Sequence, residues 1–189
     1  MNIYALQTAR AGSKSVPNKN IMDIKGKPLY LHNVLYALES DLIKDVYVST
    51  DYDIIHSKAS HYGYKSIARP EHLCLDDSSH RDTMLHGLEE IEKDTGETCD
   101  YLVVLFGNTL GARTIDLDNA INMIINNPEL DSVQSVSEYT MFNPFRAFKI
   151  ENGMLNTIVD QDFIKNNLKG KLANDRNSAG KSYFMNGSF

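Results

Sequence analysis

The sequence predicts an α/β fold with a mostly parallel central sheet, and three observations support that prediction. Short apolar runs typical of strands alternate with amphipathic segments typical of helices over roughly the first 140 residues. The run at 101–106, YLVVLF, is almost continuously apolar, as expected for a central parallel strand covered on both faces. Polar loops at 8–20, 50–52 and 107–113 follow strands, at the edge where parallel sheets bind their ligands.

We assign each element from its local pattern of apolar, polar and turn-forming residues. The predicted strands are residues 2–7, 45–49, 64–68, 101–106 and 132–137. The predicted helices are residues 28–39, 51–62, 80–92 and 115–125. A turn at Asn152 and Gly153, between the apolar runs 147–150 and 154–158, predicts a hairpin. We therefore expect one domain, 1–189, with a small excursion at about 139–182.

The composition is that of a soluble globular protein, with 42% hydrophobic and 23% charged residues. A net charge of -6 argues against a nucleic-acid partner, which would need a basic surface, but it is compatible with a nucleotide ligand. The 2 cysteines have no metal-binding spacing. Because the chain shows neither a targeting segment nor an apolar run long enough to span a membrane, we expect a cytoplasmic protein.

The loop after the first strand carries the strongest chemical signal. Residues 9–20 read ARAGSKSVPNKN and place the cations Arg10, Lys14 and Lys19 among small residues. Small side chains let backbone N–H groups approach phosphate oxygens, and an arginine fork can bind two oxygens at once. The loop matches neither the Walker pattern nor a dinucleotide-binding motif. A solvated basic loop is the alternative, but the position at the exit of the first strand favours phosphate binding.

This loop resembles the A-R-x-G-S-K-x-(I/V)-P-x-K-N signature of the acylneuraminate cytidylyltransferases, the CMP-sialic acid synthetases, which CMP-Kdo synthetases share in part. Further matches follow in the family's order: GKPL at 26–29, STD at 49–51, RPEHL at 69–73, RT at 113–114, DSVQSV at 131–136 and NG at 186–187. The resemblance covers essentially the whole chain. It implies a Rossmann-like three-layer nucleotidyltransferase fold, a homodimer formed through the excursion, and transfer of CMP from CTP to a sialic-acid-like nonulosonic acid with release of pyrophosphate.

The resemblance also implies roles for individual residues. As the catalytic cations, Arg10 and Lys19 would hold the triphosphate. The remaining candidates for CTP binding are Ala9, Gly12, Ser13, Lys14, Asn20, Asp51, Arg69 and Ser78. The candidates for sugar binding are Asn108, Thr109, Arg113 and Asn186. Two alternatives stay open, because Asp51 could instead cap a helix and Arg113 could instead brace its loop.

Two departures from the family pattern affect the expected activity. The family's L-L-Q-P-T-S-P-L-R-T is replaced by LFGNTLGART at 105–114, which predicts a reshaped sugar pocket and a substrate of the legionaminic or pseudaminic type over Kdo. Family members also continue past N-G to a D-x-D motif that binds a divalent metal. The chain has no match to that motif, so we expect Mg²⁺ from the family only, without identified ligands, and a C-terminally incomplete chain of low activity. The D-x-D strings at 51–53, 116–118 and 160–162 are interpreted as unrelated to it.

Two other functional classes are compatible with parts of the sequence. A metal-dependent sugar-nucleotide glycosyltransferase could use residues 160–162 as its metal motif, although the signature at 9–20 argues against it. A non-catalytic nucleotide-binding module would need the phosphate loop alone. The 6 histidines form no metal-binding pattern, and His80 and His86 are interpreted simply as helix residues.

Overall fold

The computed structural model describes residues 1–13, 16–138, 144, 147–160, 162–163, 166 and 182–185. Two of the predicted site residues, Lys14 and Asn186, lie outside these described residues. The chain divides into two compact units, one holding residues 1–134 and the other residues 135–186.

The first unit is built on a parallel sheet, as the sequence predicts. Its four strands are β1 (Ile3–Ala9), β4 (Asp45–Thr50), β5 (Lys65–Ala68) and β6 (Tyr101–Phe106), in the order β5-β4-β1-β6. The short strands β2 (Asp23–Ile24) and β3 (Lys27–Pro28) pair with each other. The helices are α1 (Leu29–Leu38), α2 (Asp53–Tyr62), α3 (His80–Thr95) and α4 (Thr114–Asn126). The predicted α/β fold class is therefore confirmed.

The two faces of β1 pack against different helices, because successive side chains along a strand point to opposite sides. Ile3 and Ala5 belong to a core with residues of α1, α2 and α4. Tyr4 and Leu6 belong to a second core that includes Ile91 of α3. This alternation sends the side chain of Gln7 toward α1 and that of Thr8 toward α3, where they make their hydrogen bonds.

The position of β6 corrects one expectation. The sequence predicts a central strand, but β6 lies at the edge of the sheet and, within the described residues, pairs only with β1. Its residues at 101–104 are half-buried. A continuous apolar run indicates that the side chains on both faces of a strand are buried. It does not indicate whether the strand pairs with a neighbour along both of its backbone edges. Residues 132–134, expected to begin the next strand, instead line an apolar cavity of about 470 Å³ beside β6 and α4, together with Asp131.

The second unit contains two antiparallel pairs. β7 (Val136–Glu138) pairs with β10 (Tyr183–Met185), and β8 (Phe148–Glu151) pairs with β9 (Met154–Thr157). The predicted hairpin is confirmed, with left-handed φ values of 53° at Asn152 and 76° at Gly153 in its turn. None of the helices in the described part of the chain combines the length and apolarity that a membrane span requires.

Candidate active site

A cavity of about 500 Å³ opens at the carboxyl edge of the sheet, where the sequence predicts the ligand site. The loops after β1 and β6, the segment between β5 and α3, and the first turns of α3 enclose it. Its lining residues are Thr8, Arg10, Ser13, Lys19, Asn20, Arg69, Leu73, Leu75, Asp76, Ser78, His80, Thr83, Phe106, Gly107 and Asn108. The volume falls within the range of small-molecule sites in proteins.

The structure brings seven of the predicted site residues together around this cavity. They are Arg10, Ser13, Lys19, Asn20, Arg69, Ser78 and Asn108. Five other predicted residues do not line it: Ala9, Gly12, Asp51, Thr109 and Arg113. Ala9 is fully buried at the end of β1, and Gly12 supplies a left-handed turn with φ of 73°.

Arg10 is held by two contacts with the segment that precedes α3. Its Nη1 donates to the Cys74 carbonyl at 2.8 Å, and its Nη2 donates to Asp76 Oδ1 at 2.8 Å. The backbone carbonyl of Arg10 in turn accepts from Asn20 Nδ2 at 2.8 Å. These contacts fix the guanidinium at the cavity wall, and they place a carboxylate where an anionic ligand would bind.

Asp51 orders the same loop from the neighbouring strand. Its Oδ1 accepts the backbone N–H of Ala11 at 2.6 Å. α2 begins at Asp53, and the residue at its N-cap is Tyr52. The capping alternative for Asp51 is therefore wrong, because its carboxylate accepts a hydrogen bond from the loop after β1 and, among the described residues, none from the first turn of α2. Its contribution to the site is to shape the loop that carries Arg10.

Arg69 is a buried cation at the base of the cavity, only 8% exposed. Its Nε donates to Ser49 Oγ at 3.2 Å and its Nη2 donates to the Ser49 carbonyl at 2.7 Å. Within the described ranges, no carboxylate lies at ion-pairing distance from it. Burial lowers the pKa of this guanidinium from its usual value. The charge of Asp51 offsets only part of this burial. A desolvated cation without a directly paired carboxylate favours an anionic ligand in the cavity.

A side chain of α1 holds the loop after β6 through hydrogen bonds. Asn33 Nδ2 donates to the Phe106 carbonyl at 2.8 Å and to the Thr109 carbonyl at 3.1 Å. Thr109 Oγ1 donates to the Phe106 carbonyl at 3.0 Å, so this hydroxyl serves the loop while Asn108 lines the cavity. A Cβ at Gly107 would lie 3.2 Å from the Thr8 carbonyl oxygen and 3.4 Å from Gln7 Nε2. The loop therefore has little room for the family's glutamine at this position.

Arg113 braces the start of α4. Its Nε and Nη2 donate to the two carboxylate oxygens of Asp116 at 2.8 and 2.7 Å. This two-point ion pair supports the bracing alternative. The Asp116 carboxylate binds the two guanidinium N–H groups that a sugar carboxylate would otherwise use.

Sequence reasoning missed several lining residues, of which Thr8, Asp76, His80 and Phe106 matter most. His80 Nε2 lies 3.2 Å from Thr8 Oγ1, and the His80 ring stacks on Phe106 with centroids 5.6 Å apart. The sequence places His80 correctly at a helix start. Nothing local in the sequence indicates that this helix start meets the end of β1, because that contact depends on how α3 packs on the sheet.

Ligands for Mg²⁺ are not identified among the described residues. Among them, no group of three or more histidine, cysteine, aspartate or glutamate side chains could hold a metal ion. Of the acids near the cavity, Asp76 is paired with Arg10 and Asp51 accepts from Ala11. The D-x-D strings at 116–118 and 160–162 have structural contacts: Asp116 binds Arg113, and Asp160 Oδ1 accepts the backbone N–H groups of residues 162 and 163.

Comparison with known proteins gives consistent results at the level of family and fold. The family model described as "Cytidylyltransferase" matches residues 5–151. A Helicobacter pylori protein named "Pseudaminic acid cytidylyltransferase and UDP-2,4-diacetamido-2,4,6-trideoxy-beta-L-altropyranose hydrolase" is 31% identical over 156 residues, which is 82% of this chain and 29% of that protein. An Escherichia coli N-acylneuraminate cytidylyltransferase is 36% identical over 86 residues, 46% of this chain and 20% of the relative.

A Campylobacter jejuni pseudaminic acid cytidylyltransferase is 33% identical over 98 residues, 52% of this chain and 42% of the relative. The chain thus spans less than half the length of these curated relatives. Among solved structures, the CMP:2-keto-3-deoxy-manno-octonic acid synthetase complexed with CTP aligns with a TM-score of 0.57 at 24% identity, covering 73% of this chain and 52% of that one. At this identity the structural match supports the fold.

Proposed function

Because the chain belongs to the cytidylyltransferase family, we propose that it transfers CMP from CTP to a nonulosonic sugar acid and releases pyrophosphate. The observation that supports this most is the cavity at the carboxyl edge of the sheet, where Arg10, Lys19 and Arg69 converge. Three cations in one cavity suit a triphosphate. A cytoplasmic location, where CTP is made, belongs to the same proposal.

In the proposed reaction, a hydroxyl of the sugar acid attacks the α-phosphorus of CTP in line with the departing pyrophosphate. Such chemistry depends on positioning and on neutralising phosphate charge, with little covalent help from the protein. Arg10 would bind phosphate oxygens through its fork, Lys19 would supply a mobile charge, and Arg69 would supply a fixed one from the base. Mg²⁺ would act here only as a counter-ion of the triphosphate.

The proposed acceptor is a sugar acid of the pseudaminic or legionaminic type. Relatives that carry those names in Helicobacter pylori, Campylobacter jejuni and Legionella pneumophila support this choice. The wall formed by Gly107 and Asn108 would face the sugar, with the Asn108 amide available to its hydroxyl groups. A glycosyltransferase is not favoured, since Asp160 is engaged by the backbone of its own turn.

A homodimer is part of the proposal. On β8 and β9 the register places Phe148, Ile150 and Leu155 on one face of the hairpin, and all three side chains are exposed. An exposed apolar face of this kind is typical of an interface. Light scattering at micromolar concentration should report a dimer, and a monomer would contradict this part of the proposal.

The central test is CTP binding by a matched pair of variants. Lys19→Ala should remove a charge-assisted contact of about 1.5–3 kcal/mol, which corresponds to a loss of CTP affinity of roughly 10- to 150-fold. Lys93→Ala removes the same charge from an exposed position near the end of α3 and should leave CTP affinity unchanged. Calorimetry and a pyrophosphate-release assay with pseudaminic, legionaminic and Kdo acids would measure both steps. Equal CTP affinity in the two variants would show that the cavity is not the phosphate site.

A further inference from the structure

His80 occupies the junction between the cationic and the uncharged walls of the cavity. It is the first residue of α3, whose N-cap Ser79 accepts the Asp82 backbone N–H at 3.3 Å. The His80 ring packs on Phe106 with an interplanar angle of 24°, and Nε2 lies 3.2 Å from Thr8 Oγ1. The ring is therefore positioned where the ends of β1 and β6 meet the start of α3, and the residue is exposed to solvent.

Few of the lining side chains can accept a proton. Of those that the structure describes, only Asp76 and His80 are bases near neutral pH; the others are cations, amides, hydroxyls or apolar groups. Asp76 is paired with the Arg10 guanidinium, on the cationic side of the cavity. His80 is the base that adjoins Phe106, Gly107 and Asn108, the proposed sugar-acid side.

The surroundings of His80 keep its imidazole neutral. Partial burial and then the charge of Arg69 lower its pKa from the usual value of 6.5. The side chains in direct contact with its ring are uncharged: Thr8 of β1 and Phe106 of β6. Within its own helix, the lining residue Thr83 is also uncharged. A neutral imidazole among cations retains a lone pair and is ready to receive a proton.

We propose that His80 accepts the proton of the sugar-acid hydroxyl as that hydroxyl attacks the α-phosphorus of CTP. This rests on the proposed function. A bond forms between the hydroxyl oxygen and the α-phosphorus, and the bond from the α-phosphorus to the oxygen bridging to the β-phosphorus breaks. Pyrophosphate departs with that electron pair. The attacking hydroxyl replaces the Thr8 hydroxyl at Nε2 of His80 and transfers its proton to that nitrogen, in the tautomer with its own proton on Nδ1. The stacked Phe106 ring and the start of α3 hold the imidazole in place during this exchange.

The test must distinguish proton transfer by His80 from a purely positioning role, because the contact between His80 and Thr8 also joins α3 to β1. His80→Gln retains a polar group near the position of Nε2 and can keep the contact with Thr8, but its amide cannot take up a proton at neutral pH. His72→Gln is the matched control, because His72 is exposed, lies on the turn before α3 and does not line the cavity.

The experiment measures CTP affinity by calorimetry, and pyrophosphate release with the sugar acids from about pH 5.5 to 9, for the wild type and both variants. We expect His80→Gln to bind CTP within about 2-fold of wild type, to lose roughly 10²–10⁴-fold in kcat, and to lose the acidic limb of the pH profile. His72→Gln should match the wild type in all three respects.

The outcomes separate the two proposals. A His80→Gln variant that keeps the acidic limb of the wild type, or loses less than about 10-fold in kcat, would overturn the assignment of His80 while leaving the proposed function in place. Failure of the wild-type chain to bind CTP would refute the proposed function and the base assignment together.

Discussion

Replacing Asp76 by asparagine should increase the affinity of the cavity for phosphate. In the structure the Asp76 carboxylate occupies one arm of the Arg10 fork at 2.8 Å, the arm that a phosphate oxygen would use. Binding must displace this contact, and the carboxylate also repels an incoming anion. The Arg10 side chain is 31% exposed and the Asp76 side chain 42% exposed, so solvent screens both effects.

The magnitude follows from the exposure of the pair. A solvent-accessible ion pair is worth about 0.2–1 kcal/mol. Relief of repulsion between the carboxylate and a phosphate a few ångströms away adds about 1 kcal/mol at the dielectric constant of water. Asp76→Asn should therefore tighten binding by roughly 1–2 kcal/mol, or about 5- to 30-fold. Loss of positioning should not reverse this gain, because Arg10 keeps its contact with the Cys74 carbonyl.

Calorimetry with inorganic tripolyphosphate and with CTP, at low and at high salt, measures this effect. Asp77→Asn is the matched control: it removes the same charge from the next residue, which is exposed and does not line the cavity. It should change affinity by less than about 2-fold, because a solvated charge outside the site is screened. Tighter binding must appear with both ligands and shrink as salt rises. Equal affinities in the two variants, or weaker binding by Asp76→Asn, would show that the carboxylate does not compete for Arg10.

Two further predictions concern the support of the site and the stability of the fold. Asn33→Ala should remove one donor from each of the Phe106 and Thr109 carbonyls and lower the unfolding free energy by about 1–3 kcal/mol in urea denaturation. It should weaken sugar-acid binding more than CTP binding, and equal losses of both would contradict a role confined to this loop. Burial first, and then the hydrogen bond to Asp94, raise the pKa of Tyr47 to about 12. Because the pKa of Tyr47 is higher in the folded state than in the unfolded state, its neutral form stabilises the fold. This contribution to the unfolding free energy is complete below pH 10, is lost as pH rises toward 12, and amounts to at most roughly 2–3 kcal/mol. Tyr47→Phe should lose correspondingly less stability over that interval, as measured by denaturation at each pH, and a slope identical to that of the wild type would refute the assignment.

The part of the fold that could be predicted is the part encoded locally. Apolar runs and turn residues predict the four strands of the parallel sheet and the hairpin of β8 and β9 to within a few residues. The loop signature at 9–20 predicts the wall that carries Arg10 and Lys19. Contacts between segments distant in sequence could not be predicted in the same way. The pairing of Arg10 with Asp76 joins residues 66 positions apart, and nothing in either local pattern indicates it.

The placement of α3 shows the same limit. A Cβ at Gly87 would lie 2.4 Å from Cδ2 of Leu6, so α3 approaches β1 more closely there than a side chain would allow. That approach belongs to the packing that brings His80 to Thr8. A glycine within a helical pattern indicates some close contact, but it does not identify the partner or the side chains placed nearby.

The position of β6 at the edge of the sheet makes the two sides of the cavity unequal in rigidity. β1 has a neighbouring strand on both sides, whereas β6, in the part of the chain described, pairs with β1 alone. Alternate amides along β6 therefore point away from the ladder and should exchange with solvent faster than those directed at β1. Fraying of this strand would reach Gly107 and Asn108 directly, because they continue it into the loop. A strand that pairs with this edge would thus also stiffen the cavity wall formed by Gly107 and Asn108.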